Sequence, residues 1–494
     1  MPSISRRDFL QDSALAAAAL AGAGIAAEAH AEAAAAKKGQ INDQLRVAVV
    51  GVHGRGKEHL PGFAGRNNCV ITTICDADSA VIGDAMKYVE NKQGKAPKFE
   101  QDIRKVVEDK NIDIVTIATP NHWHALAAIW ALQNGKDVYV EKPVSHNVSE
   151  GRRIVETARK YNRICQTGTQ SRSSKGMREA MAFLHEGKLG QIKLARGLCY
   201  KLRGSIGKVK EPQAVPRTVD YNLWCGPAPM NPLRRESLHY DWHWQWDYGN
   251  GDLGNQGIHE MDKARWGLGK KEMPRSVFSF GGRFGYVDDG ETANTQVVVF
   301  DYGDAQLVFE VRGLPSDSPY PEKAFKKEGR RGSNFVGNIF YGTEGVLVCP
   351  SYTNGVALNN DGEVIRQFGG GDDHFGNFVK AVRSRKVEDL NADIEEGHLS
   401  SALCHLGNIS YRLGTEQRFG GKPKCPVHGK EIEAAFARFV THLSDKIGPL
   451  AKDSYRVGAR LEIDPQTESF TNNKEANAFL TREYRKGFEV PSKV

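Results

Sequence analysis

Two residues of this 494-residue chain have side chains suited to chemistry on a hydroxyl group, Lys142 and His259. The ammonium of a lysine stabilises an oxygen atom that becomes negative, and burial lowers the pKa of such a lysine. A histidine has an ordinary pKa near neutral pH, which suits a group that accepts a proton. Together, two such groups could move a hydroxyl proton to the histidine while the lysine stabilises the oxygen. The alternatives are a hydrogen-bonded core histidine and a surface lysine in a proline turn.

A glycine-rich loop follows the apolar run Leu45–Val50. Glycines permit a tight turn and let backbone amides approach a pyrophosphate, and the N-terminus of a following helix favours the anion. In the usual GxGxxG pattern Gly51 and Gly56 take the outer positions, but a histidine takes the middle one. The pattern predicts a nucleotide-binding loop formed by Gly51, His53, Gly54, Arg55 and Gly56. An ordinary strand–turn–helix without a ligand is the alternative.

An aspartate, Asp76, ends the second apolar run, Cys69–Cys75. A carboxylate at this place can accept hydrogen bonds from the adenosine ribose of a dinucleotide, which favours NAD over NADP. Arg55 could instead contact a 2′-phosphate, so NADP stays open.

Apolar runs alternate with helical segments from residue 45 to residue 167. Runs rich in β-branched residues, such as residues 112–118, are typical of a parallel sheet covered on both faces. The predicted fold class is therefore α/β, with a doubly wound dinucleotide-binding domain over residues 44–167. Alternating runs then predict an α+β domain with an open, mostly antiparallel sheet over residues 168–415. Residues 416–494 form a C-terminal extension with one amphipathic helix.

The chain begins with Ser5-Arg6-Arg7-Asp8-Phe9-Leu10, an alanine-rich apolar stretch and a small-residue site at residues 29–31. This order is typical of a cleavable signal, and the arginine pair resembles a twin-arginine leader. We expect residues 1–31 to be a signal peptide and residues 32–43 a linker. No later segment is apolar enough to be a membrane helix. The mature protein is therefore expected in the periplasm, delivered by the twin-arginine export machinery; a disordered tail is the alternative.

Charge and cysteine usage exclude several classes of protein. The formal net charge of +7 is spread over the whole chain, without a dense Lys/Arg block, which argues against a nucleic-acid partner. None of the eight cysteines forms a CxxC pair. We therefore predict no metal site, and expect the cysteines to be buried free thiols.

Two further motifs lie at the carboxyl ends of predicted strands, where doubly wound sheets place their ligands. They are Ala118-Thr119-Pro120-Asn121-His122-Trp123-His124 and Tyr139-Val140-Glu141-Lys142-Pro143. Together with the glycine loop and Asp76 they resemble the Gfo/Idh/MocA oxidoreductases, the glucose–fructose oxidoreductase and inositol dehydrogenase family. The resemblance implies a Rossmann domain in which Thr119, Pro120 and Asn121 line the cofactor and His124 supports their loop. Glu141 would hold Lys142 and the nicotinamide end.

Residues 249–262 resemble the catalytic helix of that family. The family pattern is an aspartate, a histidine four residues on, and an aspartate three further, which places these side chains on one helix face. Here Asn255 takes the first place, His259 the second and Asp262 the last. An amide can position a hydroxyl but cannot take a proton, so the base role falls on His259. Asn255, Asp262 and Arg172, which lies where the family often begins its substrate site, are candidate substrate ligands.

An aromatic segment, residues 240–248, precedes this helix. Aromatic faces stack on the C–H faces of sugars, so Trp242 and Trp244 are candidates for substrate binding. Alternatively, Trp242, Trp244 and Trp246 pack inward from one face of a half-buried strand.

The resemblance implies an NAD(P)-dependent oxidoreductase that acts on a secondary hydroxyl of a carbohydrate. Export away from the cytoplasmic nicotinamide pool adds the expectation of a tightly held cofactor. A redox-neutral glycosidase or lyase, which oxidises its sugar transiently, is the alternative, although residues 255–259 lack the Tyr-Pro-Thr-His-Gly type motif of the family's known glycosidase group. A non-catalytic binding protein is a third possibility. The family also implies a homo-oligomer, a dimer or tetramer, joined through the open face of the C-terminal sheet.

Overall fold

The computed structural model of the protein describes residues 43–324, 334–420 and 424–494. The predicted signal peptide, residues 1–31, and nearly all of the predicted linker lie outside these residues, so export and localisation stay predictions. Within the described ranges, no helix combines the length and apolarity needed to cross a membrane.

Six parallel strands form the first sheet, in the order β3-β2-β1-β4-β5-β6. Strands β2 and β3 are added on one side of β1, whereas β4, β5 and β6 are added on the other side. This switch between β1 and β4 creates the crevice where such sheets bind ligands. Strands β4 and β5 are buried along their whole length because helices cover both faces of the sheet. The strands are Leu45–Val50 (β1), Cys69–Cys75 (β2), Lys98–Glu100 (β3), Ile114–Ile117 (β4), Asp137–Val140 (β5) and Cys165–Thr167 (β6).

Five helices connect these strands. The fourth starts directly after Pro120 and is buried along nearly its whole length. The fifth starts directly after Asn147, whose side chain accepts a hydrogen bond from the backbone N–H of Glu150 and so caps the helix. The helices are His59–Phe63 (α1), Gly83–Gln93 (α2), Ile103–Glu108 (α3), Asn121–Gln133 (α4) and Val148–Lys160 (α5).

The second sheet has twelve strands and is mostly antiparallel, with β7 and β10 paired in parallel. Its main path runs β14-β13-β12-β11-β7-β10-β9-β8-β16-β15, and β17 pairs with β8 and β18. The fold class predicted from the sequence is confirmed. The strands are Ile192–Tyr200 (β7), Ser276–Gly282 (β8), Thr295–Asp301 (β9), Gln306–Arg312 (β10), Phe335–Gly342 (β11), Gly345–Cys349 (β12), Gly355–Asn359 (β13), Val364–Phe368 (β14), Thr415–Arg418 (β15), Ser454–Val457 (β16), Leu461–Asp464 (β17) and Ser469–Phe470 (β18).

Helices cover both faces of the second sheet at strands β8 to β10. Apolar residues of α9 and α11 pack with one face, and Phe436, Phe439 and Leu443 of α12 pack against the other. The helices of this part are Lys175–His185 (α6), Tyr221–Cys225 (α7), Gly251–Asn255 (α8), Gly257–Gly267 (α9), His374–Ser384 (α10), Ile394–Arg412 (α11), Lys430–Ile447 (α12) and Lys474–Ala478 (α13). The chain's own helix α12 therefore covers a part of the face through which an oligomer was expected, and the oligomeric state stays a prediction.

The C-terminal extension is not a separate unit in this structure. Strands β15 to β18 join the second sheet. The chain then returns to the first domain, where the Phe488 ring meets those of Trp123 and Trp130 at centroid distances of 5.7 and 6.3 Å. The predicted domain boundaries stay predictions, but the extension links the two sheets.

Candidate active site

The glycine loop after β1 is shaped by close backbone approach. Gly51 has a φ of +83°, and a Cβ added there would lie 2.7 Å from the carbonyl of Ala118. A Cβ on Gly56 would lie 1.7 Å from the oxygen of Gly51, whereas one on Gly54 would meet no protein atom within 4 Å. The loop is therefore tight where it meets the sheet and open at Gly54, which lines a cavity. This shape fits a nucleotide pyrophosphate lying against the backbone.

Asp76 lies at the end of β2, beside this loop. Its carboxylate accepts hydrogen bonds from the backbone N–H groups of Val52, at 2.9 Å, and Asp78, at 3.0 Å. Burial raises the pKa of Asp76. The remaining lone pairs of this carboxylate border the cavity, as the ribose-binding prediction requires.

A residue of the second domain, His239, lines this end of the cavity. The ring of His239 stacks on that of His53 at a centroid distance of 4.5 Å, and His239 Nε2 lies 2.8 Å from the carboxylate of Asp78. Backbone bonds join the same two regions, from Ser79 N to the oxygen of Thr218 and from Asp220 N to the oxygen of Ala77. We call the contacts of His239 with His53 and Asp78 the histidine roof.

Glu141 is the centre of a buried charge cluster at the other end of the glycine loop. Its carboxylate accepts a hydrogen bond from Arg55 Nε at 3.0 Å and lies 3.3 Å from His59 Nε2. Although burial raises the pKa of Glu141, the His59 hydrogen bond and the Arg55 charge hold it well below its usual range. The Nε of Arg55 is therefore used by Glu141, and contact of its other nitrogens with a ribose 2′-phosphate stays a prediction.

Lys142 extends from the end of β5 towards the second domain. Its Nζ donates a hydrogen bond to the backbone oxygen of Asn255, at 2.8 Å. Burial lowers the pKa of Lys142, and the charges of Arg55 and Lys201 lower it further. Two N–H groups of the ammonium stay available for an oxygen atom in the cavity, which it lines.

His259 lies on α9 and lines the same cavity. Burial, followed by the charge of Lys142, lowers its pKa well below the ordinary value, so the ring is neutral at neutral pH. Its Nδ1 is buried without a hydrogen-bond partner among the described residues. The ring of Tyr352 lies against it, at 4.9 Å between centroids. A neutral imidazole beside a lysine ammonium is able to accept a proton from a hydroxyl held by that ammonium.

The motif after β4 lines the cavity through Thr119, Pro120, Asn121 and His124. The ring nitrogens of His124 face two backbone oxygens, those of Pro143 at 2.5 Å and Thr119 at 2.7 Å. The histidine thus joins this loop to the lysine-bearing loop after β5, the supporting position expected of it.

The candidate substrate ligands divide into two groups. Asn255 and Trp242 line the cavity. Trp244 does not, and the Arg203 guanidinium lies over its ring at 5.4 Å. The aromatic segment is a short 3-10 helix, Asp241–Trp244, rather than the strand that was the alternative.

Arg172 and Asp262 bind each other rather than the cavity. Arg172 Nε lies 2.9 Å from both carboxylate oxygens of Asp262, and both residues are buried. The hydroxyl of Ser400 donates to Asp262 at 2.7 Å, and Glu396 lies 3.0 Å from Arg172 Nη2. The expectation that both bind substrate is corrected: their charges are used in a buried ion pair.

Several residues that line the cavity were missed by the sequence analysis. Lys201 and Arg203 are the first and third residues after β7, and this position at a strand end was a usable signal. Gln256 sits beside a predicted residue, whereas Tyr352 and His239 come from loops without a motif. Gln256 donates to the hydroxyl of Tyr352 at 2.7 Å and accepts from Lys201 Nζ at 2.9 Å.

These parts enclose one cavity of about 610 Å³ between the two domains. The glycine loop and Asp76 border one part of it, and Lys142, His259 and Asn255 border another. The sheet is of the Rossmann type, and its glycine loop has the shape that binds a nucleotide pyrophosphate. With a lysine–histidine pair on the same cavity, this arrangement defines a nucleotide-dependent oxidoreductase.

Two family profiles match the chain. Residues 45–169 match the Gfo/Idh/MocA oxidoreductase family, NAD-binding Rossmann fold, and residues 188–312 match its C-terminal alpha/beta domain. Together these ranges make up half of the chain. The chain therefore belongs to the Gfo/Idh/MocA oxidoreductase family, and NAD is the cofactor of its Rossmann domain.

Curated relatives carry the name glycosyl hydrolase family 109 protein. The one from Saccharopolyspora erythraea is 31% identical over 163 residues, which cover 32% of this chain and 35% of the relative. The one from Shewanella baltica is 32% identical over 179 residues, covering 33% and 39%. The chain thus aligns with little more than a third of the length of these relatives.

Solved structures share the fold at low identity. Levoglucosan dehydrogenase in complex with NADH and levoglucosan is 18% identical, with a TM-score of 0.53 over 73% of this chain and 95% of that one. The WlbA dehydrogenase from Bordetella pertussis in complex with NADH and UDP-GlcNAcA is 18% identical, with a TM-score of 0.52 over 74% and 95%. At this identity the likeness concerns the fold.

Proposed function

We propose that this protein oxidises a secondary hydroxyl of a sugar or sugar derivative, using an NAD that it does not release between turnovers. The observation that carries the proposal is the convergence of Lys142 and His259 on the cavity that also contains the glycine loop and Asp76. Bound NAD supplies the acceptor for the hydride of the C–H bond.

The chain's own residues handle the oxygen and its proton. Lys142, held by the backbone oxygen of Asn255, donates to the substrate oxygen and stabilises negative charge on it. His259 takes the hydroxyl proton; because its Nδ1 is buried, Nε2 is the nitrogen left to accept it. The alcohol thus loses one proton to His259 and one hydride to the cofactor, and becomes a ketone.

Retention of the cofactor is supported by the histidine roof. His239 bonds to Asp78 and stacks on His53, and these contacts lie beside the carboxylate of Asp76, where we propose that the ribose binds. The resemblance of residues 5–10 to a twin-arginine leader favours export of the folded protein with its cofactor. A nicotinamide lost outside the cytoplasm could not be replaced, so an exported enzyme has to retain it. We therefore propose a periplasmic enzyme in which the hydride held by the reduced cofactor would pass to the carbonyl carbon of a second substrate in the same cavity, with His259 returning the proton to its oxygen.

The test is a single-turnover reduction of the bound cofactor by sugars, followed by the absorbance of reduced nicotinamide. We expect Lys142→Met and His259→Asn each to slow reduction by roughly 10²–10⁴-fold. Two exposed residues provide matched controls, Lys208→Met and His428→Asn, which should leave the rate unchanged. Full activity in either cavity variant would refute the assignment of roles.

A redox-neutral glycosidase is the second candidate. The family 109 glycosyl hydrolase name of the curated relatives favours it, as does Asn255 where the family pattern has an aspartate. Product analysis on oligosaccharides separates the two candidates. Cleavage of glycosidic bonds without accumulation of reduced nicotinamide favours the glycosidase, whereas a ketone product formed with stoichiometric reduction favours the oxidoreductase.

A further inference from the structure

We infer, resting on the proposed function, that the sugar substrate carries an anionic group and that Lys201 binds it. The inference names the substrate class, a sugar acid or a sugar phosphate, and gives a binding role to a residue outside the predicted catalytic pair. It rests on the charges that face the cavity and on the contacts that hold Lys201.

Lys201 is a half-buried cation without a carboxylate partner. It follows Tyr200, the last residue of β7, and its Nζ donates to the amide oxygen of Gln256 at 2.9 Å. In the part of the chain that the structure describes, no carboxylate oxygen forms an ion pair with this ammonium. One neutral acceptor leaves two N–H groups of Lys201 available for a ligand.

The two arginines that line this cavity are each paired with a carboxylate, whereas Lys201 is not. Arg203, two residues further on, is held by both carboxylate oxygens of Asp252, at 2.6 and 2.7 Å. Arg55 is held by Glu141. Lys142 resembles Lys201 in meeting only a neutral oxygen, but the proposed reaction already uses its ammonium.

The acid in contact with the other side of Gln256 does not balance the charge of Lys201. Glu260 touches the far side of Gln256, at 3.4 Å from Nε2 to the carboxylate, and is fully buried beneath it. Burial raises the pKa of Glu260 to about 7. The carboxyl is therefore partly neutral at neutral pH, and an excess of positive charge faces the substrate side of the cavity.

The contacts of Gln256 fix the direction of the Lys201 ammonium relative to the base. Gln256 also donates to the hydroxyl of Tyr352 at 2.7 Å, and the Tyr352 ring lies against His259. A small molecule with its reacting hydroxyl at His259 would therefore have Lys201 as a neighbour. A carboxylate or phosphate placed there gains a charge-assisted hydrogen bond, about twice as strong as a neutral one.

The experiment compares matched sugars on the holoenzyme. Glucose, glucuronate and glucose 6-phosphate, and the same three forms of galactose, are tested by reduction of the bound nicotinamide. For at least one sugar we expect an anionic form to exceed its neutral parent by about 30-fold or more in the apparent second-order rate constant for reduction of the bound nicotinamide, as a charge-assisted contact allows. The glucuronate and 6-phosphate arms decide whether the group is a carboxylate or a phosphate.

The variants are Lys201→Met and, as a control, the exposed Lys208→Met. Lys201→Met should remove most of the preference for the anionic sugar, chiefly by raising the sugar concentration that gives half the maximal reduction rate, and should change the rate constant for the neutral sugar by less than about 3-fold. Lys208→Met should behave as the unaltered protein. Preference for neutral sugars, or an equal loss on both kinds in Lys201→Met, would overturn the inference while leaving the proposed function intact. Reduction by none of the six sugars would count against both.

Discussion

Replacement of Asp262 by alanine distinguishes a structural role from the substrate contact that the sequence suggested. In the structure the carboxylate of Asp262 is paired with Arg172 and accepts the Ser400 hydroxyl, all inside the protein. Breaking a buried ion pair by removing one partner costs about 3–5 kcal/mol. Glu396 still faces Arg172 in the variant, so we expect the lower value, about 3 kcal/mol. For a domain of this size that lowers the melting temperature by roughly 6–12 °C.

Two assays are needed, thermal unfolding of the holoenzyme and kcat/KM well below the melting temperature. Asp304→Ala is the matched control, because Asp304 forms an exposed ion pair with Lys270 and its loss should cost less than about 1 kcal/mol. We expect Asp262→Ala to have the lowered melting temperature and yet to keep kcat/KM within about 3-fold of the unaltered enzyme. An unchanged melting temperature together with a loss of 100-fold or more in kcat/KM would refute the reasoning.

Three further predictions concern the cavity. The pKa of His259 lies below its ordinary value, so kcat/KM should lose activity on the acid side only below pH 6.5. Lys142→Met removes a neighbouring positive charge, which should raise the pKa of His259 and move this loss of the residual rate to higher pH. A shift to lower pH would contradict the role of His259. Arg55→Ala should change the preference for NAD over NADP by less than about 3-fold, whereas Asp76→Ala should reduce it by 10-fold or more, as measured by binding of both nucleotides to the stripped protein. His239→Ala, which opens the histidine roof, should speed release of bound NAD by about 10-fold in a trap experiment, and an unchanged rate would show that the roof does not retain the cofactor.

The parts of the site that lie at the ends of parallel strands could be predicted from the sequence. The glycine loop, Asp76 and Glu141-Lys142-Pro143 each follow a short buried strand, and β1 and β2 have the bounds that the apolar runs indicated. Parallel strands deliver their carboxyl ends to one edge, so local sequence is enough to bring these groups together.

Contacts between distant residues explain what the sequence analysis missed or misjudged. Arg172 and Asp262 are 90 residues apart, and only the packing of α9 shows that each neutralises the other. Arg55 lies in the glycine loop but pairs with Glu141, 86 residues away. Tyr352 reaches the cavity from a loop after β12, through the pairing of strands that no local pattern specifies. The 3-10 helix around Trp242 likewise replaces the alternating strand pattern that the tryptophans suggested.

The central claim is that this cavity keeps an NAD through catalysis, and the nucleotide content of the purified protein tests it most directly. The folded protein is dialysed extensively, then denatured, and the released small molecules are identified and quantified by mass spectrometry. The account predicts close to one NAD or NADH per chain after dialysis, with slow exchange for added labelled NAD. Protein without bound nicotinamide, or with bound nucleotide that exchanges as fast as it can be measured, would contradict it.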